Sequence, residues 1–459
     1  TFSDTQKHIL KFVVLLLVLW LVYLIVCMVV PPLFHKTAGT GTHQENSPAQ
    51  ERVLCIDNNM DALLWRLRLI EAAQERLVLT TFDFRDDRSG QDIMAALLHA
   101  AERGVQVQIL VDGFNGSLWL PGSKNFQQLA AHENVEVRLY NPINLLTPWK
   151  LNYRMHDKYL IADDFAYILG GRNTDDLFLG NYVDSYNEDN DILVYETVPG
   201  EGGSYAQLQE YFERIWELPC CQPYQSRGNG GDYLEEHYRQ LREQYPQAFT
   251  EPEWEAATLE TNGVELCTNP MEPENKQPLL WNRLAEEMKQ GDDVLIITPY
   301  VICSEQMYQD LTAISRESSR VDVVINAVEC GSNPFGCTDY LNQKEAVQKT
   351  GVHIYECLGE QALHTKTILI GQDVSIVGSC NLDMRSVYLD TEMMLVIDSS
   401  ELNASLRRQA EGLQEKSRHV APDGTEVNGA DYQPVEQGLG KKIFYGILRV
   451  LIIPIRHLL

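Results

Sequence analysis

Basic residues are scarce: 37 lysines and arginines stand against 65 acidic residues in a chain of 459, a net charge of −28 at neutral pH. That balance repels a polyanion at long range, and no tract interleaves basic with aromatic side chains, so no nucleic-acid partner is expected. Cysteine pairs at zinc-ligand spacing are missing too. The 10 cysteines are scattered, Cys220 and Cys221 being adjacent, and neither a metal site nor a cofactor is expected. Cys330 and Cys337 bracket GSNPFG and leave two readings open, a loop disulfide in an oxidising compartment or reduced thiols in a core.

Against this scarcity stands one long uncharged run, FVVLLLVLWLVYLIVCMVV, 19 apolar residues from Phe12 to Val30. It suffices to cross a bilayer core of about 30 Å as a helix. A signal peptide would carry a shorter apolar region, of about 7–15 residues, and a small-residue cleavage site; here the run ends in VVPPLFHK. The expectation is an anchor over residues 1–36. Lys7 and Lys11 precede the run and only Lys36 follows closely, which places the body outside the cytoplasm by the positive-inside tendency. Residues 37–50, rich in Thr, Gly, Ser and Asn, read as a linker.

Beyond the linker the chain says the same thing twice. RLVLTTFDF, GQDIMAALLHAAERG and VQVQILVDG read as strand, helix, strand; DVLIITPYVI, SEQMYQDLTAISRESS and RVDVVINAVECG repeat the order. Each half is then a βαβ-rich unit, 51–219 and 264–400, giving an α/β architecture with pseudo-twofold symmetry and largely parallel strands. Residues 220–263 read as a connecting insertion. Residues 401–459 read as a charged helix, a polar stretch and a basic amphipathic segment, KKIFYGILRVLIIPIRHLL, suited to a headgroup layer.

The repetition carries polar chemistry. His156, Lys158, Gly170 and Asn173 recur as His364, Lys366, Gly378 and Asn381, all at a constant offset of 208 residues. In extended chain, side chains two apart share a face, so each His and Lys project together. If the halves meet about a twofold axis, two imidazoles, two ammonium groups and two amides share one pocket. Such a set fits a phosphodiester: lysines and asparagines hold the nonbridging oxygens, one imidazole attacks phosphorus and the other protonates the leaving alkoxide. Each imidazole needs an orienting partner on its far nitrogen, and Asp189 and Glu392, at the starts of corresponding apolar strands, are the candidates.

The pattern H-x-K-x(4)-D-x(6)-G-G-x-N, formed by His156, Lys158, Asp163, Gly170, Gly171 and Asn173, resembles the signature of the phospholipase D superfamily. NYRMHDKYLIAD, LGGRN and GSCNLDMRS are most similar to bacterial cardiolipin synthases, over roughly Val53 to Ser400. The resemblance implies a phosphohistidine on His156, with His364 as acid and base and Asp163 as part of the motif. One departure is plain: Gly371 stands where the second copy should hold the motif aspartate, and Asp373 falls at a turn. Trp149, Lys150 and Arg154, in the loop before His156, are candidate headgroup contacts.

The expected activity is that of a membrane-anchored phosphatidyltransferase, taking a phosphatidyl group from phosphatidylglycerol or another phospholipid and passing it to phosphatidylglycerol to make cardiolipin. A phospholipase D-type hydrolase, an anchored nuclease of the same superfamily and a noncatalytic anionic-lipid scaffold are the alternatives.

Overall fold

In the computed structural model, which describes residues 4–34, 36, 51–201, 203–226, 228 and 231–459, a helix over Asp4–Val29 precedes the body. Apolar residues on every side of it leave none of its residues buried, and it is long and apolar enough to cross a membrane. The expected linker 37–50 lies outside the described residues.

The body rests on two nine-stranded sheets. The first runs, edge to edge, Leu259–Glu260, Glu51–Ile56, Asp191–Glu196, Ala166–Gly170, Tyr159–Ala162, Arg76–Thr81, Gln106–Asp112, Val135–Tyr140, Cys221–Pro223. In the second, Gly263–Thr268, Met393–Asp398, Val374–Gly378, Thr367–Ile370, Asp293–Ile297, Arg320–Asn326, His353–Cys357, Ser417–Val420 and Glu426–Asn428 follow one another. From Glu51–Ile56 and from Gly263–Thr268 onward, strand follows strand in the same spatial and sequence order, as a duplication requires.

The expectation of largely parallel sheets is corrected. Within each sheet only three strands run parallel, Arg76–Thr81 with Gln106–Asp112 and Val135–Tyr140, and their counterparts Asp293–Ile297, Arg320–Asn326 and His353–Cys357. Every other pairing in the two sheets is antiparallel. The strand following His156 turns back at residues 163–165 into its neighbour, and so short a connection admits only antiparallel pairing.

Both sheets are covered on both faces. In the strand Arg76–Thr81, Leu77 and Leu79 point to a core shared with the helices Asn59–Ala72 and Arg88–Glu102, while Val78 points the other way. On that second side Val78, Leu110 and Leu169 meet Leu295, Val324 and Leu369 of the other sheet in one apolar layer. The sheets therefore pack face to face, with Asn59–Ala72 and Arg88–Glu102 outside the first and the helices Gly203–Trp216 and Ser400–Glu415 set against the layer that the two halves share.

The segment 220–263 is built into the first half instead of bridging between halves. Cys221–Pro223 closes one edge of the first sheet, Leu259–Glu260 the other. The helix Tyr233–Gln244 between them lays Leu234, Tyr238 and Leu241 on the first core, and His237 bonds Asp92 at 2.7 Å. In the second half the helix Ser400–Glu415 and the strand Ser417–Val420 take the places of Gly203–Trp216 and Cys221–Pro223. Cys330 and Cys337 are free thiols, as are the other cysteines.

Candidate active site

Each His-Lys pair lies where its half enters the antiparallel hairpin. His156 to Lys158 leads into Tyr159–Ala162, and His364 to Lys366 into Thr367–Ile370. The partner strands end at Gly170 and Gly378. A Cβ on Gly170 would lie 1.9 Å from Asp191 Oδ1, and one on Gly378 2.2 Å from the Met393 carbonyl oxygen, so these glycines serve close approach. Asn173 and Asn381 follow, each with a buried Oδ1 that meets no hydrogen-bond donor within the protein.

The halves exchange backbone at this point. His156 N–H donates to the Thr391 carbonyl at 3.3 Å and Thr391 N–H to the Arg154 carbonyl at 2.9 Å. Reciprocally, His364 N–H donates to the Glu188 carbonyl at 2.7 Å, where Ala362–Leu363 pairs in parallel with Asn187–Glu188. Residues 391 and 188 each precede a candidate acid. The exchange therefore delivers each acid to the histidine of the other half: His156 Nδ1 lies 2.9 Å from Glu392 Oε1, and His364 Nδ1 2.6 Å from Asp189 Oδ2. Each Nδ1 is thus engaged by the other half's acid, and Lys366 Nζ stands 2.6 Å from His364 Nδ1 and 3.1 Å from its Nε2.

Phe82 stands edge-on to His156 with ring centroids 5.2 Å apart, and Phe178 edge-on to His364 at 4.8 Å. Lys158 Nζ donates to its own half's His156 carbonyl at 2.6 Å. Lys366 Nζ bonds the His364 carbonyl and lies 3.8 Å from Asp189. Both lysines are all but inaccessible. His364 opens onto a cavity of about 200 Å³ whose polar walls include Asn187, Tyr300, Asn326, Ser332 and Asn333.

Burial dominates the electrostatics. It lowers His156 well below the usual histidine range, helped by Lys158 and Lys366, and lowers His364 to about 3, helped by Lys366. Desolvation also brings Lys158 down to about 7 and Lys366 to about 8. The two acids diverge. Burial raises Glu392 to about 8, its oxygens accepting from the hydroxyls of Ser379 and Ser386. Burial opposes ionisation of Asp189 as well, but the charges of Lys366 and His364 outweigh it and hold the carboxyl below its ordinary value.

Two expected site residues have other duties. Asp163 is not in the pocket. Its carboxylate accepts the backbone N–H groups of Gln74, Glu75 and Arg76 at 2.7–2.9 Å, pinning the start of a strand, and its φ of 46° makes the hairpin turn. Gly371 makes the matching turn with φ 54°, so the departure from the motif falls away from the imidazoles. Arg154 is not a headgroup contact either. It is buried, ion-paired with Asp112 at 3.3 Å and donating to the Asn141 carbonyl at 2.8 Å, because Asp112 ends an interior strand and must be compensated. Trp149 and Lys150 are exposed in a 3₁₀ turn packed near the end of the long apolar helix.

Sequence reasoning missed Phe82, Phe178, Ser379, Ser386 and Thr391. Ser379 and Ser386 left a trace, both lying in GSCNLDMRS, Ser379 where the first copy has Gly171. A Cβ at Gly171 would lie 2.4 Å from Asp189 Oδ2, whereas Ser379 uses its hydroxyl to bond Glu392.

A family model described as "Cardiolipin synthase, PLD-like domain" matches residues 67–216 and 284–413. Cardiolipin synthase C of Escherichia coli K12 is 28% identical over 77% of this chain and 83% of its own length. Cardiolipin synthase B of Salmonella typhi is 25% identical over 75% of this chain and 76% of its own. Among solved structures, the phosphatidylserine synthase of Haemophilus influenzae Rd KW20 superposes with a TM-score of 0.60 at 14% identity, covering 88% of this chain and 95% of that one, a likeness of fold. With the match spanning both halves, the chain belongs to the cardiolipin synthase-type, phospholipase D-like family.

Proposed function

We propose that this protein is a membrane-anchored phosphatidyltransferase that makes cardiolipin. The observation that carries the reading is the exchange of acids, each imidazole having its Nδ1 held by the other half; it supports a site in which both rings and both buried lysines serve one phosphodiester. Its membership of the family and the names of its relatives support a phospholipid substrate.

In the first step His156 Nε2 attacks phosphorus of a phosphatidylglycerol, the bond from phosphorus to the headgroup oxygen breaks, and His364 gives that oxygen a proton. The anionic phosphodiester, with Asp189 behind the ring, favours the protonated form of His364. Lys158, Lys366 and the amide NH₂ groups of Asn173 and Asn381 hold the nonbridging oxygens. In the second step His364 takes the proton from the hydroxyl of another phosphatidylglycerol, the oxygen attacks phosphorus, and the phosphorus–nitrogen bond breaks. Asp189 and Glu392 orient the rings. Water in place of the lipid alcohol would give hydrolysis.

The test is to quench the full chain in vesicles of phosphatidylglycerol labelled in its phosphatidyl part, and to identify both the labelled residue and the lipid product by mass spectrometry. The unaltered protein should carry acid-labile label on His156, His364→Ala should form it about 10²-fold or more slowly, and His156→Ala should carry none. Phosphatidic acid as the sole product would replace transferase by hydrolase; label on neither histidine would end the mechanism.

A further inference from the structure

Residues 439–459 include Lys441, Lys442, Arg449, Arg456 and His457 and not one acid, in a chain whose net charge is −28. Their helix, Leu439–Leu451, turns Tyr445 and Leu448 onto the body beside the helix Pro334–Lys349. Lys441 Nζ donates to the Glu329 carbonyl at 2.8 Å and Arg449 to the Asn342 side chain at 2.7 Å. The opposite surface is apolar and open: Leu439, Ile443, Phe444, Ile447, Val450 and Leu451 are each between 51% and 74% exposed. Single exposed leucines are ordinary; a contiguous set of six on one short helix marks an interaction surface.

What covers it is indicated by where the chain goes next. The turn Ile453–Leu458 runs to the exit of the long apolar helix, and there His457 Nε2 donates to the Val29 carbonyl at 2.8 Å. Asn152 bonds the Met28 carbonyl, Asn275 donates to the Pro31 and Phe34 carbonyls at 2.8 and 3.0 Å, and Lys36 pairs with Glu274 at 2.7 Å. Arg456 is held by both oxygens of Asp339, at 2.7 and 3.1 Å. The open apolar surface is therefore fastened to the point where a spanning helix leaves the hydrocarbon. With 13 residues, about 20 Å, the basic helix is too short to cross a core of about 30 Å.

We infer that the helix Leu439–Leu451 lies along the lipid leaflet from which the long helix emerges, its apolar face among acyl chains and Lys442 among anionic headgroups, and that this second contact sets how the active site meets its substrate. The inference rests on the reading of Asp4–Val29 as a membrane anchor and of the substrate as a lipid. A path to the site exists. Arg385 N–H donates to the Leu459 carbonyl at 2.8 Å and its guanidinium to the Asn152 carbonyl at 2.9 Å. Arg385 belongs to the short helix Met384–Tyr388, whose Ser386 holds Glu392 at 2.6 Å. Interfacial seating and ring orientation are thus linked through one element.

The experiment uses the full chain in phosphatidylglycerol vesicles doped with a lipid carrying a photoactivatable acyl chain. Lipid adducts are expected on peptides covering 439–453 as well as on the long helix. Adducts on the long helix alone overturn the inference, as does a detergent-solubilised dimer that Ile447→Asp with Val450→Asp dissolves, which would give the face to a second copy. In the same double variant, turnover of vesicle lipid should fall about 10-fold or more while turnover of dispersed short-chain phosphatidylglycerol stays within about 2-fold; equal rates on vesicles refute the seating role. If the unaltered protein labels at 439–453 but turns over neither lipid form, the function fails and the membrane contact stands.

Discussion

The two acids that face the imidazoles are chemically unequal. Asp189 is held ionised by Lys366 and His364, whereas Glu392 keeps a proton up to about pH 8 among serine hydroxyls. A neutral amide mimics the second environment better than the first. We expect Asp189→Asn to lower kcat by about 10²-fold or more and Glu392→Gln by about 10-fold, compared by single-turnover transfer. Equal losses would remove the asymmetry. The lysines set a pH limit: with Lys158 near 7 and Lys366 near 8 in the free site, kcat/KM should fall as pH rises through that range, since the anionic substrate needs their charge. Activity should be indifferent to a metal chelator, because the lysines and asparagines supply what a cation would. The motif aspartate belongs to stability instead. Asp163→Gly, which copies Gly371, should cost about 1–3 kcal/mol in urea unfolding through loss of its charge-assisted N–H bonds, with kcat unchanged. Gly371→Asp should leave the rate alike, since a Cβ there meets nothing within 4 Å.

At the level of elements, the hairpin after each histidine does two things at once. Its inward side chains complete the face-to-face core, and Asp157, between His156 and Lys158, turns to that same side and away from them, to accept from the Tyr211 hydroxyl at 2.7 Å. Burial raises Asp157 and Asp390 from 3.8 to about 7. Folded chains hold these protons more tightly than unfolded ones, so the stabilisation is full below the ordinary aspartate range and is lost as pH climbs to about 7. The urea midpoint should decline from about pH 5 to about pH 7, and Asp157→Asn should make that decline shallower; an unchanged slope would discharge Asp157 from the role. The hairpins themselves were readable, because His, Lys, Gly and Asn recur at fixed intervals around short apolar stretches. Their antiparallel sense was not, since the βαβ rhythm of the flanking segments dominates the pattern and the turn at 163–165 is only three residues long.

Over the whole molecule, the duplication could be read from one chain, and so could the polar set at its centre. The partnering could not. Alignment put Glu392 opposite Asp189, yet nothing local says that each serves the other copy's histidine, because that pairing depends on how two sheets stack. The same limit hid the true place of residues 220–260: an acidic helix with Gly-rich flanks looks like a bridge until Leu234, Tyr238 and Leu241 are seen on the first core. The crossed acids also bear on descent. Neither copy pairs its imidazole with a carboxylate of its own, so one copy by itself would bring the two together only by associating with a second.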